Sequence, residues 1–176
     1  GTRNGIVVYD INSNSVFKEF HKAQHYKMSV IHKILIDSKN RIWVATPNVT
    51  LFNYGKDSSE YYPKEHVSTF SGMYASTVID MVEDTEKNIW FGGKGISKFR
   101  DKKFVNYNQE HGLAGKGVRN IIEDNNGKIW AGTSGSACIL ESKKQTIRNI
   151  ITDPLFTNVR LEFGVMHSSV WRLLKD

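Results

Sequence analysis

Residues 124–135 read DNNGKIWAGTSG, and the chain says nearly the same thing twice more: DTEKNIWFGGKG at 84–95 and DSKNRIWVATPN at 37–48. In each copy a Trp stands six positions after an Asp, and Ile precedes the Trp. A phrase repeated within one chain marks an architectural unit before it marks an active site, so its period decides the fold. The likeness extends upstream. Segments 31–36 (IHKILI), 78–83 (VIDMVE) and 118–123 (VRNIIE) each put an apolar residue six before the Asp and two more at three and two before it. Residues 170–176 (VWRLLKD) fit the same template. The spacing is 47 from Trp43 to Trp90, 40 from Trp90 to Trp130, and 52 from Asp124 to Asp176. Periods near 40–50 made of short strands predict propeller blades.

Each unit reads as four strands. The apolar run ending at the Asp is the first, and a polar turn (SKN, TEK or NNG) follows. RIWVAT, NIWFGG or KIWAGT is the second, and VTLFNY, GISKFR or SACIL the third. A charged turn such as DKK leads to a fourth, such as FVNYN. Runs of five or six residues are the usual strand length, and no window sustains the apolar stripe of a helix. Both faces of a blade are covered by neighbours, so both must be apolar. A Trp on the second strand then fills the wedge between adjacent sheets. Ala45, Gly92 and Gly132, two positions on, leave room where strands converge. The Asp ends the first strand by accepting turn amides. Asp37, Trp43, Asp84, Trp90, Asp124 and Trp130 are thus expected to be structural, because catalytic groups are not repeated in every blade.

Composition agrees with this class. At 176 residues the chain can bury a sizeable core. Fourteen Gly against three Pro, with 11% aromatics, favour tight turns. No run approaches a membrane span, and the opening GTRNGIVVYD has no signal layout. The single cysteine, Cys138, excludes an internal disulfide and a cysteine-built metal site. The net charge of +6 is spread over scattered lysines, with pairs at Lys102–Lys103 and Lys143–Lys144 where hairpin turns are expected. That placement reads as a solvated surface, without a nucleic-acid partner.

Counting strands gives a partial blade at 1–27 holding strands three and four, full blades at 28–72, 73–113 and 114–165, and the first strand of a further blade at 166–176. Closed propellers carry about four to eight blades. The expectation is therefore an all-β slice of a larger propeller, whose open blade edges pair with the remaining blades or, alone, with further copies of the chain.

The three phrases IIEDNNGKIWAGTSG, MVEDTEKNIWFGGKG and ILIDSKNRIWVATPN resemble the two-component regulator propeller repeat, as do the opening GTRNGI, the aromatic fourth strands (Phe17/Phe20, Phe104/Tyr107) and HGL at 111–113. The second copy has Gly-Gly and the first Ala-Thr where the third has Gly-Thr, and the first has Asn48 at the usual turn Gly. The resemblance implies the periplasmic sensor region of a hybrid two-component sensor. Such regions are commonly paired seven-bladed rings, followed by a β-sandwich, a membrane helix and a histidine kinase. None of those later parts lies in these residues, so no kinase activity and no direct membrane contact are assigned to them.

Ligands are expected on the propeller face where loops leading into first strands meet the turns between second and third strands. Two long loops lead there, 55–77 and 151–169. The first carries Tyr61, Tyr62, His66, Phe70 and Tyr74; the second leads through Arg160, Glu162 and His167 to Trp171. Tyr61 and Tyr62 read as part of a fourth strand. Tyr74, Arg160, His167 and Trp171 are candidate ligand contacts, with Arg119 and Arg172 on first strands facing the channel. Aromatic faces beside charged groups suit an oligosaccharide, and the positive charge favours an acidic one. Glu83 and Glu123 are repeat positions and poor acid–base candidates. The six His residues show no metal-binding spacing, there is no nucleophile elbow or P-loop, and no metal or cofactor is implied. Asn48-Val-Thr50 matches a glycosylation sequon, as one chance match is expected to. Two alternatives stay open: a propeller lyase or hydrolase using His167 with Glu162, and a protein-binding scaffold.

Overall fold

Asp, Asn and Gly punctuate the apolar runs, and each run between them becomes a strand. The structure, a computed structural model, describes residues 5–21, 30–46, 49–54, 61–67, 72–140, 156–159, 170 and 173–174. A hairpin comes first, β1 (Gly5–Asp10) with β2 (Ser15–His21). Three four-stranded antiparallel sheets follow. The first blade is β3 (Lys33–Ile36), β4 (Ile42–Ala45), β5 (Val49–Tyr54) and β6 (Tyr61–Val67). The second is β7 (Asp80–Glu83), β8 (Ile89–Gly93), β9 (Gly95–Arg100) and β10 (Lys103–Tyr107). The third is β11 (Val118–Glu123), β12 (Ile129–Thr133), β13 (Ala137–Leu140) and β14 (Phe156–Val159). In each sheet the strands lie in chain order, as in a propeller blade. Among the described residues the only helical piece is a 3-10 turn, Gln109–His111.

The first-to-second turn is built alike in all three blades. The amides of Asn40, Lys87 and Gly127 donate to the carbonyls of Asp37, Asp84 and Asp124 at 2.9, 2.9 and 3.0 Å. The donor residue is left-handed each time, with φ of 56°, 68° and 72°. That conformation suits Asn and Gly and strains the Lys. The charged hairpin turn of the second blade falls at Asp101 and Lys102, also left-handed (φ 48° and 63°), as two-residue hairpin loops require.

Among the described residues two cores form, each between consecutive blades. The first joins Trp43 and Ala45 to Val78, Met81, Ile89 and Phe91. The second joins Trp90, Ile96 and Tyr107 to Val118, Ile121, Ile129, Ala131 and Cys138. Trp43 meets Phe91 and Phe99 edge-on at 5.5 Å, and Trp90 stacks on Tyr107 at 5.8 Å. Burial pushes the Tyr107 phenol up to about 12. The small residue after the Trp receives the next blade. A Cβ on Gly92 would lie 2.8 Å from Val118 Cγ1, and one on Gly132 would lie 3.0 Å from Val170 Cγ1.

One expectation needs correction. Part of 151–169 is not a loop leading into a first strand: Phe156–Val159 is the fourth strand of the third blade, paired with Ala137–Leu140. Four residues, Phe-Thr-Asn-Val, carry too little alternation to announce a strand, but the open edge of β13 supplies the ladder of amides and carbonyls that orders them. Lys143, Lys144 and Phe70 lie outside the described residues, and of the Tyr61, Tyr62 and His66 side chains nothing is described.

Candidate functional site

The repeated residues form clamps. One carboxylate oxygen of each Asp closes the turn and the other holds the Trp. Asp37 Oδ1 accepts the amides of Lys39 and Arg41, both at 2.9 Å, and its Oδ2 accepts the Trp43 indole N–H at 2.8 Å. Asp84 accepts the Asn88 amide at 2.8 Å and the Trp90 indole at 2.7 Å. Asp124 accepts the amides of Asn126 and Lys128 at 2.9 and 2.8 Å and the Trp130 indole at 2.9 Å. Burial opposes ionisation of Asp37, but the Trp43 indole and the Arg41 amide and guanidinium outweigh it, so its carboxyl sits below the ordinary Asp range. At Asp124 the Trp130 indole, then the Lys128 amide, lowers it too. The expected turn role of the Asp holds; the indole bond was missed, and its signal was the constant spacing of Asp and Trp.

A second set of clamps runs between blades. Glu83 takes the Ser38 amide and hydroxyl at 2.8 and 2.6 Å, and Glu123 takes those of Thr85 at 2.9 and 2.7 Å. Each Glu thus holds the turn of the preceding blade. Along the first strands, Asp80 binds Lys33 Nζ at 3.0 Å on one side. On the other it accepts Asn120 Nδ2 at 2.6 Å and the Ile121 amide at 3.0 Å. Asn120 in turn accepts the Leu173 amide at 2.6 Å. Lys33, Asp80 and Asn120 are the same repeat position, so these bonds tie successive first strands together.

In a four-stranded meander the start of strand one, the turn between two and three, and the end of strand four lie at one end of the sheet. There a cleft of about 590 Å³ opens between the second and third blades. The loop before β7 gives it Tyr74, and the β8–β9 turn gives it Lys94 and Gly95. The segment after β10 contributes Asn108, Gln109 and Glu110, and the loop before β11 contributes Lys116 with its flanking glycines. Tyr74 is fixed from behind. Its amide donates to Ser97 Oγ at 3.1 Å and Asn106 Oδ1 at 3.0 Å, and Asn106 Nδ2 donates to the Gly72 carbonyl at 2.9 Å. Its side chain remains half exposed. Gly95 (φ +77°) lets the ring settle, since a Cβ there would lie 2.9 Å from Tyr74 Cε1 and 2.7 Å from the Tyr107 carbonyl oxygen. The Gly95 amide donates to the Lys116 carbonyl at 2.8 Å, joining the walls across the blade boundary.

Tyr74 therefore lines the cleft. Arg119 does not: it is the extra residue of a bulge in β11, between Val118 and Asn120, and is half-buried. Arg160, Glu162, His167, Trp171 and Arg172 lie outside the described residues. Sequence reading missed Lys94, Asn108, Gln109, Glu110 and Lys116. Only their places in turns on the expected face could have pointed to them. Among the described residues no group of three His, Cys, Asp or Glu could hold a metal. None of the helices there is long and apolar enough to cross a membrane.

Four-stranded meanders stacked through a wedge Trp define a segment of a β-propeller. Residues 112–135 match the family described as two component regulator propeller. No curated protein matches the chain. Among solved structures, it is similar to the extracellular domain of the hybrid two component system BT3049 from B. thetaiotaomicron. The identity is 24% and the TM-score 0.68, over 80% of this chain and 19% of that one. Two structures of the extracellular domain of BT4673 from the same organism, named in one as a one component and in the other as a hybrid two component system, also match. They are 16% and 17% identical, with TM-scores of 0.66 and 0.67, over 97% of this chain and 22% of theirs. The chain thus spans about a fifth of the length of these structures.

Proposed function

We propose that this chain is a segment of the periplasmic sensor propeller of a bacterial hybrid two-component receptor, that it binds an oligosaccharide, and that it performs no catalysis. The observation that carries the reading is the family match at 112–135, in a chain that repeats the matched phrase twice more. That the similar structures are extracellular domains of such systems supports it. In this reading the blades run 28–72, 73–113 and 114–165, with partial blades at 1–27 and 166–176, and the receptor's remaining blades close the ring, seven in all. A histidine kinase elsewhere in the receptor receives the signal. Tyr74, in the cleft, and Arg119, outside it, are the described members of the proposed ligand-contact set, with Arg160, His167, Trp171 and Arg172 as its further members. The test is incubation with a panel of neutral and acidic oligosaccharides, following both the unfolding midpoint and the appearance of products. A midpoint shift without product is expected. Turnover that His167→Ala abolishes would overturn the reading in favour of an enzyme.

A further inference from the structure

The cleft between the second and third blades has more definition than a gap between loops. The backbone of Tyr74 is held by two acceptors on its amide, and the half-exposed residue rests its ring against a glycine that tolerates no side chain. An aromatic face on an anchored backbone beside polar groups suits the C–H face of a sugar ring, at a reduced conformational cost of binding. Asn108 and Gln109 offer amides for hydroxyl groups, and the Glu110 carboxylate offers an acceptor. Asn108 is itself ordered, its Oδ1 accepting the Glu110 amide at 3.0 Å. The volume of about 590 Å³ falls within the ~300–1,000 Å³ of ligand pockets.

Charge narrows the ligand further. Lys94 and Lys116 approach the cleft from opposite blades, both exposed. Neither has an ion-pair partner among the described residues, whereas Lys33 and Arg41 each pair with an aspartate. The backbone at both lysines is anchored across the blade boundary: Lys94 bridges to Gly117, and the Lys116 carbonyl accepts the Gly95 amide. Two cations and one carboxylate around an aromatic face fit a saccharide bearing an anionic substituent at one end and free hydroxyl groups elsewhere.

Resting on the oligosaccharide reading above, we propose that this cleft binds an acidic saccharide. Tyr74 is the stacking platform, Lys94 and Lys116 hold the carboxylate or sulfate, and Asn108, Gln109 and Glu110 take the hydroxyl groups. The ligand bridges two blades, so its binding stiffens their boundary.

The test is calorimetric titration of the full chain with trigalacturonate, a sulfated chondroitin disaccharide and maltotriose. One of the two acidic probes is expected to bind, which distinguishes carboxylate from sulfate, with maltotriose weaker by at least about tenfold. Lys94→Ala and Lys116→Ala, both at exposed positions, should each weaken the acidic probe about tenfold, and Tyr74→Ala more. Added salt should weaken binding as well. Acidic-probe binding that survives both lysine variants unchanged overturns the site. Preferential maltotriose binding indifferent to the lysines overturns the acidic class while leaving the oligosaccharide reading standing. Absence of binding to these probes and to the wider glycan panel overturns both.

Discussion

Trp90 and Trp130 occupy the same repeat position and meet different surroundings. Both donate their indole N–H to the Asp six residues back, at 2.7 and 2.9 Å. Yet Trp90 is 1% exposed, stacked on Tyr107 with Lys98 Nζ 5.0 Å from its ring, whereas Trp130 is only half-buried. The opposite face of the arc shows the same contrast. Met81 and Ile121 are 2% and 1% exposed, but Ile34 at their position is 37% exposed. The Asp–Trp clamp is local chemistry that a blade makes alone. Burial comes from the neighbouring blade.

That distinction orders the expected effects. The largest is at Trp90, where truncation to Ala empties a packed interface and should cost ~3–5 kcal/mol. Trp130→Ala should cost less than half as much, as read by denaturant unfolding of the two variants. Equal losses would break the contrast.

Next is the close approach between blades. Gly92→Ala places a Cβ 2.8 Å from Val118 Cγ1, and overpacking of this kind costs ~1–3 kcal/mol. Gly132→Ala, 3.0 Å from Val170 Cγ1, should cost less. Combining Gly92→Ala with Val118→Ala should cost less than the sum of the singles, since the second change removes the obstructing methyl.

The carboxylate clamps between blades come third. Glu123→Gln leaves Thr85 a weaker acceptor and should cost about 1 kcal/mol. Thr85→Val should add little on top of it. Full additivity in that double-mutant cycle would mean that the Glu does not hold the preceding turn.

The smallest effects are in the turns. Lys87→Gly relieves a left-handed Lys and should be neutral or stabilising by under ~1 kcal/mol. Gly127→Lys at the same position should destabilise. For Asp37 and Asp124 the sign follows from their lowered folded-state values. The stability they contribute is present above the ordinary Asp value of 3.8 and is lost as pH falls through the folded value. Unfolding free energy should therefore drop on acidification below that value, and less steeply in Asp37→Asn.

The sequence made the blades legible where local rules repeat. Asp37, Asp84 and Asp124 each sit before the same turn, and the small residue after each Trp recurs. What depends on a neighbour was harder to read. The clamp of Glu123 on Thr85 spans 38 residues, and its only trace is a hydroxyl residue after one Asp matched by a Glu before the next. Phe156–Val159 reads as loop in the sequence because its strand character comes from pairing with β13. The cleft gathers turn residues from two blades, and no single motif contains them. Tyr74 was found because an aromatic in a loop stands out; Lys94 and Lys116 look like any surface lysine.

Acrylamide quenching of single-tryptophan variants of the 176-residue chain, each retaining Trp90 or Trp130 with the other tryptophans changed to Phe, tests most directly whether burial comes from the adjoining blade. The retained Trp90 should emit to the blue and quench several-fold more slowly than Trp130. Equal shielding of the two would contradict the account, because it would mean that the blade itself, and not its neighbour, buries the repeated tryptophan.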